Sequence, residues 1–261
     1  MQNQDKVNQY DQRNIEMMET VYGRGYLSAG GDEEVAKVLE RFELQGKRIL
    51  DMGCGLGGAS VTMARDLGAT DVVGYDIDDE VLRRAKMLIE DNRVDERVSL
   101  VRGDPGPLTF DDDHFDLVYI AAVTCHMEDL AGFLSEVVRV VKPGGWLVGA
   151  DWMSREENEA YHVWDNMLRE RGLNFYFVDP AAFEMALRSN GLSNVNLTDR
   201  TEAFTGFAAA SKQCVEGELE PALRSSLGDA GYQAFLNWTQ VRYSGLNDGA
   251  MWYQHFCGQK T

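Results

Sequence analysis

The sequence predicts an α/β fold built on a doubly wound, mainly parallel sheet, with helices before the sheet and more helices in the second half of the chain. Three observations predict it. Short apolar runs alternate with stretches of helical length between about residues 48 and 150, which is the pattern of successive β-α-β units. A glycine-rich turn follows the first apolar run, and the segments after Asp151 have mainly helical periodicity.

The elements follow in order along the chain. Residues 1–45 have helical character and precede the first strand, so we expect them to lie across the strand ends. Five strands at 48–52, 71–75, 98–101, 115–119 and 146–150 then alternate with helices at 59–67, 80–92 and 130–141. Lys142-Pro143-Gly144-Gly145 is expected to stop the last of these helices, because proline and glycine terminate helices. Beyond residue 151 the sequence predicts helices at 156–171, 180–190, 218–227 and 232–243, and a strand at 251–256.

The composition excludes several classes of partner. A formal charge of -18 and a pI near 4.6 oppose binding to nucleic acid and to anionic membrane surfaces, because both need basic residues. The polar amino terminus lacks the apolar segment of a signal peptide, and no apolar run has transmembrane length, so we expect a cytoplasmic protein. The four cysteines are scattered, with no histidine at ligand spacing, so no metal site is expected.

The strongest functional signal is the turn at residues 50–58, Leu-Asp-Met-Gly-Cys-Gly-Leu-Gly-Gly. Glycines there allow a ligand to approach the backbone closely. A dinucleotide-binding turn usually reads G-x-G-x-x-G and serves a pyrophosphate, whereas this turn reads G-x-G-x-G with Asp51 two residues before it. A carboxylate at that position repels a pyrophosphate and accepts hydrogen bonds from an ammonium group, so the turn favours a cationic ligand.

Two more carboxylates follow strand ends. Asp76 ends the second strand, 25 residues after Asp51, where an acidic side chain can bind both hydroxyls of a ribose. Asp104 follows the third strand and can meet the amino group of an adenine. Because the carboxyl ends of parallel strands share one crevice, the three carboxylates together predict a site for a cationic nucleoside, such as S-adenosylmethionine (SAM).

These residues resemble the class I SAM-dependent methyltransferases over the span from about Lys47 to Ala150. The resemblance implies a seven-stranded, Rossmann-like sheet, SAM as cofactor and S-adenosylhomocysteine as its product. It also implies one domain, in which residues 1–45 form lid helices, 46–151 the SAM-binding core and 152–261 the acceptor-binding part. The cofactor-binding residues that it implies are Tyr26, Ser28, Asp51, Gly53, Gly55, Asp76, Ile77, Asp104 and Pro105.

A narrower resemblance concerns the methyl acceptor. Residues 22–31, Tyr-Gly-Arg-Gly-Tyr-Leu-Ser-Ala-Gly-Gly, resemble the opening segment of the phosphoethanolamine N-methyltransferases, and Tyr10 lies where that family carries a catalytic tyrosine. His126 lies where that family and the sarcosine and dimethylglycine N-methyltransferases carry a histidine. Such a pair suits an amine, because an ammonium must lose a proton before it attacks a methyl group, and histidine accepts protons at neutral pH.

The departures from that family narrow the acceptor. Its Arg-Asp pair before the histidine is replaced by Ala121 and Ala122, and most of its phosphate-binding phenols and its lysine are replaced by apolar residues. Only its arginine is retained, as Arg171. We therefore expect a small polar acceptor other than phosphoethanolamine. Trp152 is expected to face a methylated ammonium, and Arg171 to hold a single carboxylate.

Three functions stay open at this point. The favoured one is SAM-dependent N-methylation of a small amine, with oxygen, sulfur and carbon acceptors as alternatives. The second is an NAD-dependent oxidoreductase, which the position of Asp51 disfavours. The third is a non-catalytic SAM-binding module, which the presence of both Tyr10 and His126 disfavours.

Overall fold

A computed structural model of the chain describes residues 12–154, 158–170 and 175–261. Its centre is one seven-stranded sheet in the order β3-β2-β1-β4-β5-β7-β6, which confirms the predicted fold class. Strands β1 to β5 pair in parallel, and β7 runs antiparallel to both β5 and β6. The strands are β1 (Arg48–Met52), β2 (Asp71–Asp76), β3 (Val98–Arg102), β4 (Phe115–Ala121), β5 (Val141–Ser154), β6 (Leu192–Asp199) and β7 (Met251–Lys260).

Nine α-helices are found in the described residues. Two precede the sheet, three alternate with its parallel strands and four belong to the second half. They are α1 (Gln12–Tyr22), α2 (Gly31–Leu39), α3 (Gly58–Arg65), α4 (Asp79–Asp91), α5 (Leu130–Val140), α6 (Glu159–Glu170), α7 (Pro180–Ser189), α8 (Thr201–Glu216) and α9 (Glu220–Asn247). In this part of the chain, no helix is both long and apolar enough to cross a membrane.

Local sequence explains where several helices begin. The side chain of Asp78 accepts hydrogen bonds from the backbone N–H groups of Glu80 and Val81 at the start of α4. Asp129 caps α5 in the same way, and Asp179 caps α7. A carboxylate at this position satisfies N–H groups that have no partner within the helix and also interacts favourably with the helix dipole.

The sheet is buried on both faces because apolar residues occur without interruption along its central strands. In β1, Ile49 packs into a cluster with Val72 and Leu117 on one face. The next residue, Leu50, packs with Val73 and Val118 on the other face. Continuous apolar runs of this kind are typical of parallel strands covered by helices on both sides.

The order of the strands fixes the position of the functional crevice. From β1 the chain proceeds to β2 and β3 on one side of the sheet, and β4 and β5 lie on the other side. The connections therefore diverge between β1 and β4, which leaves a crevice at the carboxyl ends of these two strands. Asp51 and the glycine turn lie at this switch point.

The second half of the chain differs most from the sequence prediction. Strand β6 and helix α8 were not predicted, and the helices predicted at 218–227 and 232–243 are parts of one long segment, α9, which is kinked at Gly228 (φ 70°, ψ 170°). Strand β5 begins at Val141 and contains the glycine-rich segment that was expected to lie before it. That segment is accommodated by a register shift against β4, which is how a sheet absorbs extra residues.

Candidate functional site

A cavity of about 720 Å³ opens at the carboxyl ends of the strands. Most of the residues that the sequence indicated line it. They are Tyr26, Ser28, Asp51, Gly53, Gly55, Asp76, Ile77, Pro105, His126 and Trp152. Tyr10 and Arg171 lie outside the described residues. The exposed side chain of Asp104 is not part of the lining, although its neighbours Gly103 and Pro105 are.

The glycine turn is held against the end of β2. The backbone N–H groups of Gly53 and Cys54 donate to the carbonyl oxygen of Tyr75 at 2.8 and 3.0 Å. Gly53 has φ 73°, and a Cβ atom at this position would lie 2.3 Å from Cγ2 of Val123. Glycine is therefore needed at position 53 both for the backbone conformation and for the close approach of the loop that follows β4.

Asp51 is a buried carboxylate without a cationic partner in the described residues. Its side chain is 2% exposed and accepts one hydrogen bond from the Ser60 hydroxyl at 2.6 Å. Burial and, to a smaller extent, the neighbouring charge of Asp76 raise the pKa of Asp51 to about 7, although the hydrogen bond from Ser60 acts in the opposite direction. A bound ammonium group would supply the missing positive charge.

Asp76 connects the glycine turn to the second strand. Its Oδ2 accepts a hydrogen bond from the backbone of Gly55 at 2.9 Å, and its Oδ1 accepts one from the backbone of Asp78 at 3.1 Å. A carboxylate oxygen can accept more than one hydrogen bond, so both oxygens can still bind ligand hydroxyl groups. Next to it, Ile77 is 50% exposed and offers an apolar surface at the mouth of the cavity.

The other predicted cofactor residues contribute differently from the expectation. The ring of Tyr26 lines the cavity, but its hydroxyl bonds to Asp32 at 2.6 Å and to Thr62 at 2.9 Å. Asp104 offers its backbone carbonyl, which accepts a hydrogen bond from the hydroxyl of Tyr75 at 2.8 Å. These contacts fix the polypeptide around the crevice.

His126 lines the opposite half of the cavity, on the β4 side of the sheet. It ends a short 3₁₀ turn, Thr124–His126, and its ring packs against Phe175 with 4.6 Å between ring centroids. Burial lowers the pKa of His126, and the negative charge of Asp151 acts in the opposite direction. A histidine with a lowered pKa is unprotonated at neutral pH and can accept a proton.

Two functional candidates escaped the sequence analysis. Asp151 is fully buried at the end of the β5 segment that was predicted, and it accepts hydrogen bonds from the loop that carries His126. An acidic residue at a strand end is the same signal that identified Asp51 and Asp76, so this one could have been found. Arg242 lies in the middle of α9 without any motif around it.

Arg242 is a buried cation in the cavity wall. It is 9% exposed, donates a hydrogen bond to the Tyr22 hydroxyl, and has its guanidinium carbon 5.1 Å from the ring centres of both Tyr22 and Trp152. No carboxylate of the described residues forms an ion pair with it. The sequence predicted that Trp152 faces a methylated ammonium, whereas in this structure the cation next to Trp152 is the guanidinium of Arg242.

The remaining wall of this half is aromatic and apolar. Trp152 makes edge contacts with Phe204 and Tyr253, with ring centroids 5.6 and 4.9 Å apart. The other large rings that line the cavity are Tyr119, Trp164, Phe175, Phe177 and Trp238. Such a surface suits a small ligand with few polar groups or with a methylated cation.

Comparisons with known proteins agree with this geometry. Residues 50–149 match the family described as "Methyltransferase domain". The chain is 28% identical over 204 residues to phosphoethanolamine N-methyltransferase 1 of Zea mays, which covers 75% of this chain and 38% of the relative. It is 34% identical over 158 residues to 2-methyl-6-phytyl-1,4-hydroquinone methyltransferase of Synechocystis, which covers 59% of this chain and 48% of that protein. The chain thus spans less than half of the length of these curated relatives.

Solved structures with the same fold include two methyltransferases. Phosphoethanolamine N-methyltransferase 2 of Haemonchus contortus, in complex with phosphomonomethylethanolamine and S-adenosylhomocysteine, has a TM-score of 0.87 and 22% identity, with 97% of this chain and 58% of that chain covered. A putative sarcosine dimethylglycine methyltransferase from Galdieria sulphuraria has a TM-score of 0.81 and 15% identity, with 95% and 97% covered.

Proposed function

We propose that this chain, whose residues 50–149 match a methyltransferase domain, uses SAM to methylate the nitrogen of a small amine that also bears one negatively charged group. The observation that carries the proposal is the division of the cavity. Asp51 and Asp76 line its β1–β2 side, whereas His126 and Arg242 line the side of β4, β5 and α9. A proton acceptor and an anion-binding cation thus face the same space as the cofactor-binding carboxylates.

The residues present fit SAM. Asp51 is buried and has no cation partner in the described residues, so it is suited to an ammonium group. Asp76 has carboxylate oxygens available for the hydroxyls of a ribose, and Ile77 and Pro105 offer an apolar surface for an adenine. A dinucleotide fits poorly, because the Asp51 carboxylate would oppose its pyrophosphate at the glycine turn. When bound, SAM supplies an electrophilic methyl group on a positively charged sulfur.

His126 is proposed as the general base. An ammonium group has no lone pair, so one N–H proton must move to a ring nitrogen of His126 before the nitrogen can form a bond to the methyl carbon. Within the described residues neither ring nitrogen forms a hydrogen bond, and the one that carries no proton can accept a proton from the acceptor. The lowered pKa of His126 keeps the ring unprotonated at neutral pH. Tyr10 stays a proposed partner of His126 in this step.

Arg242 is proposed to take the role that the sequence gave to Arg171, which is to bind the anionic group of the acceptor. Tyr119 and Tyr253 also line the cavity, and neither of their hydroxyls has a hydrogen-bond partner in the described residues. One guanidinium and two phenols match a single carboxylate, because a guanidinium binds a carboxylate through two parallel hydrogen bonds. A doubly charged phosphate would keep one uncompensated charge, which disfavours phosphoethanolamine.

The test is a screen with radiolabelled SAM and matched amine pairs that differ only in charge. Sarcosine and N-methylethanolamine form one such pair, and phosphoethanolamine is the third probe. We expect transfer to the carboxylated amine, and an Arg242→Gln enzyme should show KM for it raised about 10- to 100-fold, because a charge-assisted hydrogen bond is lost. Arg224→Gln is the matched control, since Arg224 lies on the same helix, over the ring of Tyr232, outside the cavity.

The aromatic wall favours a second candidate, which is methyl transfer to carbon or oxygen of an apolar acceptor. Rings surround much of the cavity, and the Synechocystis relative is named for a hydroquinone. Adding phenols and prenylated hydroquinones to the same screen separates the two candidates. Transfer to these compounds but to no amine would overturn the proposal of N-methylation.

A further inference from the structure

The side chain of Asp151, in strand β5, accepts hydrogen bonds from the loop that follows β4 and from the next residue of its own strand. Its Oδ2 accepts from the backbone N–H of Val123 at 2.9 Å, and from the N–H and the hydroxyl of Thr124, both at 2.7 Å. Its Oδ1 accepts from the backbone N–H of Trp152 at 2.8 Å. The side chain is 0% exposed, and no cation of the described residues forms an ion pair with it.

Burying a carboxylate without a cation costs free energy, so the hydrogen bonds that Asp151 accepts are needed to stabilise its charge. Burying a charge is tolerated only when several hydrogen bonds replace water. Here three of the four donors belong to residues 123 and 124, directly before His126. The charge is thus stabilised almost entirely by the loop that carries the proposed base.

Besides Asp151, two backbone hydrogen bonds tie this loop to other described segments, and one of them runs from the N–H of Tyr176 to the carbonyl oxygen of Cys125 at 2.8 Å. The chain leaves β4 through Ala122, which has φ 54°, an unfavourable value for a residue other than glycine. Its backbone donates to the carbonyl of Ala150 at 2.9 Å. The His126 ring itself makes no hydrogen bond to a described residue and rests on Phe175. The backbone of residues 123–125 therefore determines where the ring lies.

We propose that Asp151 is a positioning residue, which holds the loop of residues 122–126 so that His126 faces the acceptor half of the cavity. The proposal rests on the proposed function, in which His126 is the base. The same carboxylate also accepts a hydrogen bond from the N–H of Trp152, which lines the acceptor site. It therefore fixes the distance between the loop and Trp152. Removing it should move the base relative to the acceptor while the cofactor half stays intact.

The charge of Asp151 has a second consequence for His126. Burial lowers the pKa of His126, and the negative charge of Asp151 raises it. Among the described residues, the ring of His126 contacts the apolar ring of Phe175. In its own turn the neighbouring thiol is that of Cys125, whose pKa is raised by burial and by Asp151. Loss of the charge at position 151 therefore lowers the pKa of His126 further.

The experiment compares the full-length Asp151→Asn variant with the wild type in the presence of S-adenosylhomocysteine. The chain has four histidines, so their Cε1–H signals can be followed by NMR during a pH titration, and His126→Gln assigns the relevant one. We expect the His126 signal to titrate at lower pH in Asp151→Asn and to shift in position. Affinity for S-adenosylhomocysteine, measured by calorimetry, should stay within about twofold of the wild type, because Asp51 and Asp76 are unchanged.

Two further variants separate positioning from a general loss of structure. Asp116→Asn removes a carboxylate at the other end of β4 that also accepts a backbone hydrogen bond, from Arg48, and pairs with Lys142. It should lower stability and leave the His126 titration unchanged. Thr124→Val removes one hydrogen bond to Asp151 and keeps its charge. It should shift the position of the His126 signal while the titration midpoint stays the same, and it serves as the test if Asp151→Asn does not fold.

The outcomes decide the proposal without any methyl acceptor. The positioning role of Asp151 would be overturned if the His126 signal were unchanged in both folded Asp151→Asn and folded Thr124→Val. It would also be overturned if Asp151→Asn lost affinity for S-adenosylhomocysteine well beyond the expected twofold. With an acceptor from the screen, the acid limb of the turnover profile should move to lower pH in Asp151→Asn. If His126→Ala keeps the turnover of the wild type, the proposed base fails, whereas the titration still reports whether Asp151 positions the ring.

Discussion

At the scale of single residues, the protonation of Asp51 leads to the most direct predictions. Its pKa is raised to about 7 because it is buried without a cation. A proton and a cationic ligand then compete for the same group, so SAM should bind more tightly as pH rises from about 5.5 to 7. Asp51→Asn should bind SAM weakly and without this pH dependence. Calorimetry across that range measures both, and a constant affinity in the wild type would contradict the assignment.

The same pKa has a consequence for the stability of the protein without ligand. The folded-state pKa of Asp51 lies above the ordinary value of 3.8, so the stability that the protonated form contributes is lost as pH rises through about 7. Asp51→Asn, which cannot ionise, should therefore melt at a higher temperature than the wild type at pH 8, and the difference should disappear at acidic pH.

Asp76 and Asp104 provide a matched pair for the cofactor site. Asp76 lines the cavity and Asp104 does not. Asp76→Ala should weaken SAM binding by about 1 to 3 kcal/mol, because ribose hydroxyls lose a charged acceptor. Asp104→Ala should leave the affinity nearly unchanged, since its contribution here is a backbone carbonyl. Equal losses in the two variants would show that the Asp104 side chain also reaches the cofactor.

His126 should matter for turnover rather than for cofactor binding. His126→Ala should reduce turnover by roughly 10² to 10⁴, the usual contribution of positioned proton transfer. The loss should shrink as pH approaches the pKa of the acceptor, because free amine then forms without a base. Turnover of His126→Ala and of the wild type, measured against pH with the acceptor from the screen, checks this. If His126→Ala has the turnover of the wild type at neutral pH, alignment alone drives the transfer.

At the scale of elements, the contact between α6 and α9 closes the acceptor half of the cavity. A Cβ atom on Gly245 of α9 would lie 2.7 Å from Cδ1 of Trp164 on α6. Trp164 is 6% exposed and also lines the cavity, so the indole has little room to move. Gly245→Ala should destabilise the protein by about 1 to 3 kcal/mol through overpacking.

Gly206 supplies the control for that substitution. It lies in α8, and a Cβ atom there would meet nothing within 4 Å. Gly206→Ala should therefore stabilise the protein by about 0.5 to 1 kcal/mol, since alanine favours a helix interior. Denaturant unfolding of both variants measures the difference, and a neutral Gly245→Ala would mean that α6 and α9 separate easily.

At the scale of the whole molecule, charge is the dominant property. A net charge of -18 opposes the phosphate interactions that supply most binding to nucleic acid. We expect no saturable shift of tRNA or duplex DNA in a low-salt gel assay up to about micromolar protein, the tight end of ordinary non-specific binding. Binding below that concentration would contradict a small-molecule acceptor. A cytoplasmic location stays a prediction from the amino terminus.

The sequence by itself determined the parallel core of the fold and indicated the residues of the proposed cofactor half of the site. Strand β1 and the turn after it were predicted correctly, because Asp51, the glycines and Asp76 act through local backbone geometry at the ends of two adjacent strands. Each of these signals is contained within a few residues. A pattern of strand, turn and helix therefore identifies them without knowledge of packing.

Only the tertiary structure decided the acceptor half. Arg242 on α9 meets Trp152 on β5 and Tyr22 on α1, and these three residues are separated by as many as 220 positions in the chain. Likewise, Asp151 holds a loop that lies 27 and 28 residues before it. No local pattern marks Arg242, and the position of Asp151 at a strand end does not reveal its partners. Both roles come from burial and from contacts that packing alone brings together.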